Sequence, residues 1–157
     1  MKLIFRFLVC FVLSLSCKKS ETLTQQNDLK LLLQEINLLR QTGCNCGTDY
    51  MPPVRPLQPS AVLDNAAMVH AKDMDQRSYF SHISPEGTTP EERAMQAGYI
   101  GNIKGENLGK GYTNSDQVIN AWKNSVSHCK AMMDANTEEA GAGFSRNYLA
   151  VSFGNPL

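Results

Sequence analysis

Long apolar runs are missing from this 157-residue chain. The one at its start, Phe7 to Leu15, falls far short of the about 20 residues a bilayer-spanning helix needs. Excess charge is missing too: Lys+Arg and Asp+Glu are 15 each and charged residues make up 19%, so the sequence offers no basic face for a nucleic-acid partner. Five cysteines include no arrangement for a four-thiolate zinc site, because Cys44-Asn45-Cys46 has no second pair to complete it. A Gly-x-Ser-x-Gly turn is absent as well, so Ser125 and Ser127 beside His128 lack the setting of a serine nucleophile. There are no internal repeats and no low-complexity block. What remains is 42% apolar residues in a length suited to one domain with one sizeable core.

The first residues are of a different kind from the rest. "MKLIFRFLVCFVLSLSC" carries Lys2 and Arg6, then the short apolar run, then Ser16-Cys17. It reads as a signal peptide over residues 1–16, excluded from the fold. The small residue before Cys17 resembles the lipobox of bacterial lipoproteins, with Ser14 standing where Leu is usual; Cys17 is then the acylated mature N-terminus. Residues 17–28 read as the lipidated Cys and a solvated tether, and 29–157 as the folded domain. Export permits disulfides. Cys44, Cys46 and Cys129 remain, so at most one intramolecular bridge forms and one thiol is left over.

Along the domain, Asp28 is placed to cap a helix whose Leu29, Leu32, Leu33, Ile36 and Leu39 share a face, with Gly43 as its stop. "CNCGTDYMPPVRPLQPS" holds four prolines and reads as an irregular excursion. Ser60 opens a second helix with a stripe of Leu63, Ala66, Ala67, His70 and Met74. His70, lying on that stripe, reads as a hydrogen-bonded core residue rather than a ligand. Thr89-Pro90-Glu91-Glu92 is a capping box with Pro at the first helical position, and the helix ends by Gly98. Ser115 begins another helix, its core face Val118, Ile119 and Trp122. "AGAGFSRNYLAVSFG" reads as a hairpin turning at Ser145-Arg146-Asn147, with Leu149, Val151 and Phe153 alternating, and a further strand falls near Gly105 to Leu108. Helices first and strands last define an α+β class, helices packed on a small antiparallel sheet.

Three segments carry more chemistry than connecting loops require: "YFSHISPEG" with His82, "KGENLGKGY" with Glu106, and "AWKNSVSHCKAMM" with His128. Two neutral imidazoles and a carboxylate could hold a divalent cation with positions left open, or could form a hydrogen-bonded polar cluster. Trp122 and the seven methionines read as core or surface filling, and no organic cofactor is indicated.

"LDNAAMVHAKDM", "YFSHISPEGTTPEERAMQAGY", "GENLGKGY", "VINAWKNSVSHCKAMM" and "EEAGAGF...YLAVSFG" occur in the order seen in CAP domains, the superfamily of cysteine-rich secretory, antigen 5 and pathogenesis-related proteins. The chain resembles its bacterial SCP-like extracellular branch from roughly Leu29 to Phe153. The resemblance implies an α-β-α sandwich and a cleft in which His82, Glu106 and His128 come together. It also implies departures: Ser125 stands where many eukaryotic members have a second acid, and Val126-Ser127 where bacterial relatives often have Pro-Gly. Cys46-Gly47 and His128-Cys129 match a pairing in several bacterial relatives, implying a Cys46–Cys129 disulfide with Cys44 free. Tyr79 and Phe80 are expected to anchor the loop in the core so that His82 faces the cleft, with Pro85 and Gly87 turning the chain back.

The function this implies is an exported, lipid-anchored binding module. Its cleft takes a divalent cation, zinc suiting the donors best, or a small lipid or peptide ligand. The membrane is a partner through the N-terminal lipid. The expected location is the bacterial cell envelope, facing periplasm or cell surface, or otherwise the secreted fraction; oligomeric state is left open. The alternative is a metal-assisted hydrolase acting on peptide or envelope material. The missing second acid turns the reading away from an enzyme.

Overall fold

The computed structural model describes the backbone of residues 15–157 and side-chain surroundings from residue 28 onward. Residues 1–14 of the expected signal segment and the Cys17 side chain therefore lie outside the described residues. Helix α1 spans Leu15–Thr42, starting ahead of Asp28, the expected cap. No Gly or Pro interrupts that stretch, so the ladder of hydrogen bonds continues through it. Leu32 and Ile36 are buried, with Leu29, Leu33 and Leu39 packed alongside. The helix ends at Gly43, whose φ of +72° closes a Gly43 N to Leu39 O bond of 2.9 Å.

The Pro-rich stretch begins with a hairpin rather than irregular chain. Strands β1 (Cys44–Cys46) and β2 (Asp49–Met51) pair antiparallel, and Gly47, at φ +65°, lies in the turn between them. Gly and Asp at the turn outweigh the prolines, which all fall after β2. Strand β3 (Gln58–Pro59) then leads into α2 (Ala61–Arg77), which is followed by α3 (Pro90–Gln96), β4 (Gly101–Lys110), α4 (Ser115–Lys123), α5 (Val126–Met133), β5 (Glu139–Ser145) and β6 (Tyr148–Pro156). The helix α5 had no separate signal in the sequence pattern. The strand β4, of 10 residues, extends to both sides of the expected Gly105 to Leu108 segment.

The main sheet has the order β3-β5-β6-β4, antiparallel except for the short β3–β5 pair. Because β6 is interior, both of its faces are covered. Leu149, Val151 and Phe153 join the core with α1, α4 and α5, whereas Tyr148 and Ala150 join Ala67 and Met74 of α2. The expected alternation is present, but its second face is buried too, and the layers form an α-β-α sandwich. The α2–sheet contact is unusually close. A Cβ on Gly141 would lie 2.1 Å from Asp64 N, and one on Gly143 2.1 Å from Met68 N. The Gly-rich run of β5 is therefore what lets the α2 backbone rest on the strand, and Asp64 Oδ1 accepts from Ala142 N at 2.8 Å across that contact.

Two long-range ties close the other layer. Arg40 of α1 is fully buried; its Nε donates to Arg55 O (2.8 Å), its Nη1 to Met132 O (2.7 Å) and Asp134 O (3.0 Å), and its Nη2 to Thr137 O (3.1 Å). One cation thus satisfies carbonyls at the end of α5 that the helix itself leaves without donors. The second tie is the disulfide between Cys46 and Cys129, as the family resemblance implied, with Cα atoms 5.4 Å apart and a sequence separation of 83. A loop of that length corresponds to about 4–5 kcal/mol in the chain-entropy account. Cys44 stays free and buried beside it.

Candidate functional site

Local rules set the frame of the site. At the end of α2, Ser78 takes φ +57°, turning the chain into the loop that carries His82. Tyr79 packs against the core cluster of α2 and β6, and its hydroxyl donates to Asp73 Oδ2 at 2.5 Å. Burial and that bond push its phenol up to about 12. Arg77 pairs with Asp73 and with Glu86 across the loop. Phe80, expected to be a second anchor, is 48% exposed. Its ring lies tilted against the buried Tyr148 ring, centroids 6.4 Å apart, so it covers the margin of the core without entering it.

The loop returns through the capping box, which forms as expected: Glu92 N donates to Thr89 Oγ1 (3.2 Å) and Thr89 N to Glu92 Oε2 (2.8 Å). That short helix presents Arg93, which no motif in the sequence singles out. Its Nη1 donates to Thr88 O (2.9 Å), and its Nη2 to His82 O (2.9 Å) and Glu106 Oε2 (2.8 Å). The only hint in the sequence was a cation closing an acidic first turn. What identifies its role is burial, its side chain being 7% exposed against 2% for Glu106.

Glu106 projects from β4 to meet both groups. His82 Nδ1 lies 2.9 Å from its Oε1. A carboxylate only accepts, so the imidazole proton sits on Nδ1 and the lone pair on Nε2. The His82 side chain is 47% exposed, which leaves Nε2 free to meet a ligand from solvent. His70 lies 4.0 Å from the same Oε1 but is fully buried, with Nε2 2.9 Å from Ser81 O. Burial lowers its affinity for a proton, more than the Glu106 charge raises it. This is the hydrogen-bonded core histidine that the helix stripe indicated.

His128 comes from α5, half-buried. Burial, and then the charge of His82, hold its imidazole below the ordinary range. The adjoining β4 residues fix its surroundings. Asn107 Nδ2 donates to His128 O at 3.1 Å, and Trp122, whose ring lies 6.3 Å from that of His128, donates from Nε1 to Leu108 O at 2.9 Å. Successive β4 residues thus address the two layers, Glu106 toward α2 and α3, and Asn107 toward α5. The buried Asn107 Oδ1 has no partner.

The arrangement joins His82 to Glu106 directly, and ties His128 through its backbone carbonyl to Asn107, the next residue of β4. It is not a closed cage. Among the described residues, the group of His, Cys, Asp or Glu whose ligand atoms converge is Cys44, Cys46 and Cys129, within 4.8 Å of one another. Both oxygens of Glu106 are already engaged, by His82 and Arg93. Chemically the site can offer an oriented, exposed imidazole and a second imidazole nearby.

A three-layered helix–sheet–helix domain with this histidine–carboxylate cluster on its edge strand β4 defines the class. Residues 33–151 match the CAP family, described as the cysteine-rich secretory protein family, and the chain belongs to it. It is 32% identical over 91 residues to the Bacillus subtilis protein YkwD, covering 58% of this chain and 35% of YkwD, and 29% identical over 96 residues to the B. subtilis membrane protein YlbC, covering 61% and 27%. The chain thus spans about a third of the length of these relatives. Among solved structures it resembles an extracellular SCP-domain protein of Bacillus anthracis, with a TM-score of 0.75 at 21% identity over 83% of this chain and 41% of that one. It also resembles an outer surface protein of Borrelia burgdorferi, with a TM-score of 0.72 at 26% identity, covering 85% of this chain and 96% of that one.

Proposed function

We propose that this CAP domain works outside the cytoplasm, at the cell envelope or surface, as a binding module whose cleft takes a divalent cation through His82 Nε2 and an imidazole nitrogen of His128. The observation that carries the reading is the hydrogen bond from His82 Nδ1 to Glu106 Oε1, with Arg93 holding the other carboxylate oxygen. A carboxylate behind an imidazole fixes its tautomer and aims the free nitrogen outward, the usual second layer of a metal site. The donor set fits such an ion: two imidazoles with one ring nitrogen free, and a carboxylate that orients instead of ligating. Zinc suits imidazole donors and tolerates open positions for a lipid, peptide or water ligand. The extracellular and outer-surface proteins with this fold support the location. The signal segment 1–16, the acylated Cys17, the tether to residue 28 and the domain from residue 29 complete the proposal. A hydrolase would need Glu106 as base, and its two oxygens are committed to Arg93 and His82.

Calorimetric titration of the tag-free protein with zinc at neutral pH tests the cleft. One saturable site, lost in His82→Ala and in His128→Ala, is the expected result; no saturable heat with folded protein leaves the cluster as a structural brace. Membrane fractionation of Cys17→Ser tests the anchor, with release or an unprocessed precursor expected. Wild-type processing and membrane retention in that variant removes the lipid from the proposal.

A further inference from the structure

Around the disulfide the chain carries one sulfur more than a bridge requires. Cys44 and Cys46 are two residues apart on β1, so their side chains fall on the same face, and both are buried against α5. Cys129 is fully buried on that helix. The Cys44 Sγ lies 3.7 Å from Cys129 Sγ, in contact with a sulfur already bonded to Cys46. The free thiol is thus in direct sulfur–sulfur contact with the bond.

We infer that the three cysteines form a thiol–disulfide exchange centre in which Cys129 is shared between Cys44 and Cys46. The step is an internal substitution. Cys44 loses its proton to solvent, its sulfur forms a bond to Cys129 Sγ, the Cys129–Cys46 bond breaks with its electron pair going to Cys46 Sγ, and Cys46 takes up a proton. One disulfide and one thiol are present before and after, so no oxidant or reductant enters. The thiolate is the attacking species. Burial raises the Cys44 thiol above its ordinary range, against a smaller opposing effect of Lys123, so exchange is slow at neutral pH and quickens as the pH rises. The result is a bridge between β1 and α5 that can move two residues along the strand without ever being lost. This inference is independent of any metal in the cleft.

The experiment uses the full chain, held at pH 6 and at pH 9, then quenched in acid and digested with pepsin without reduction. Disulfide-linked peptides are fragmented between Cys44 and Cys46 to distinguish the isomers. Both Cys46–Cys129 and Cys44–Cys129 are expected, interconverting about tenfold faster per pH unit below the Cys44 pKa. The Cys46→Ser chain is expected to close Cys44–Cys129 in air while keeping its fold, followed by circular dichroism. Cys46–Cys129 alone after prolonged incubation at pH 9, or free Cys44 and Cys129 in folded Cys46→Ser, overturns the inference. The wild-type measurement decides on its own if the variant fails to fold.

Discussion

His70 and His82 share one carboxylate oxygen and nothing else. His82 touches Glu106 Oε1 at 2.9 Å with half of its side chain in solvent, whereas His70 stands 4.0 Å away with none. The first has one ring nitrogen bound and one free; the second has its Nε2 spent on a backbone carbonyl of the same loop. The difference separates presentation from support. His70 holds the loop that displays His82, and Glu106 with Arg93 is the fixed point between them.

Removing that fixed point should have the largest effect. Arg93→Ala leaves the Glu106 carboxylate buried without its cation, an expected loss of about 3–5 kcal/mol in urea unfolding. A loss below about 1 kcal/mol would mean that water already reaches Glu106. Next, the two histidines should respond in opposite ways. His70→Ala opens a cavity and frees the Ser81 carbonyl, costing about 2–4 kcal/mol while zinc titration of the folded protein still saturates. His82→Ala should cost about 1 kcal/mol or less and abolish zinc binding. Equal effects of the two on both readouts would dissolve the distinction.

The pH dependence sharpens it further. Burial depresses the folded-state proton affinity of His70, so the unfolded chain binds the proton more readily. Its contribution to stability is fully present above about pH 6.5 and is lost as pH falls toward the depressed value. Denaturation midpoints should therefore fall on acidification through this range. The slope should lessen in His70→Gln, with the remainder belonging to His128, whose affinity is lowered in the same direction. An unchanged slope would remove His70 from the account. The smallest effect is expected from Thr89→Ala, which breaks the capping box of α3 at a cost of about 1 kcal/mol. Because α3 carries Arg93, this change should weaken zinc binding at His82, as calorimetric titration would show.

Those parts of the fold that depend on neighbours in sequence were legible. The Thr89 box, the Ser145–Asn147 turn and the His70 stripe each need only a few adjacent residues, and each formed as read. The β1–β2 hairpin was hidden because the prolines after it dominate the composition of the stretch. Arg40 and Arg93 were hidden for a different reason: a cation becomes structural only through carbonyls and carboxylates brought from elsewhere, up to 97 residues away for Thr137. In the site, residue types and order pointed to His82, Glu106 and His128. Which of them would be free to bind depended on partners that spacing does not disclose.

The position of β6 has a consequence for how the chain reaches this state. The last strand, Tyr148–Pro156, lies between β5 and β4, and pairs with both along nearly its whole length. A chain emerging N-terminus first holds α1, α2 and β4 before the strand that joins them exists. Arg40 of α1 likewise waits for acceptors late in the chain, at Met132, Asp134 and Thr137. Loop-closure entropy is spent before these distant contacts return anything. Completion of the domain therefore waits for β6, and the chain that precedes it lacks the strand that joins β5 to β4.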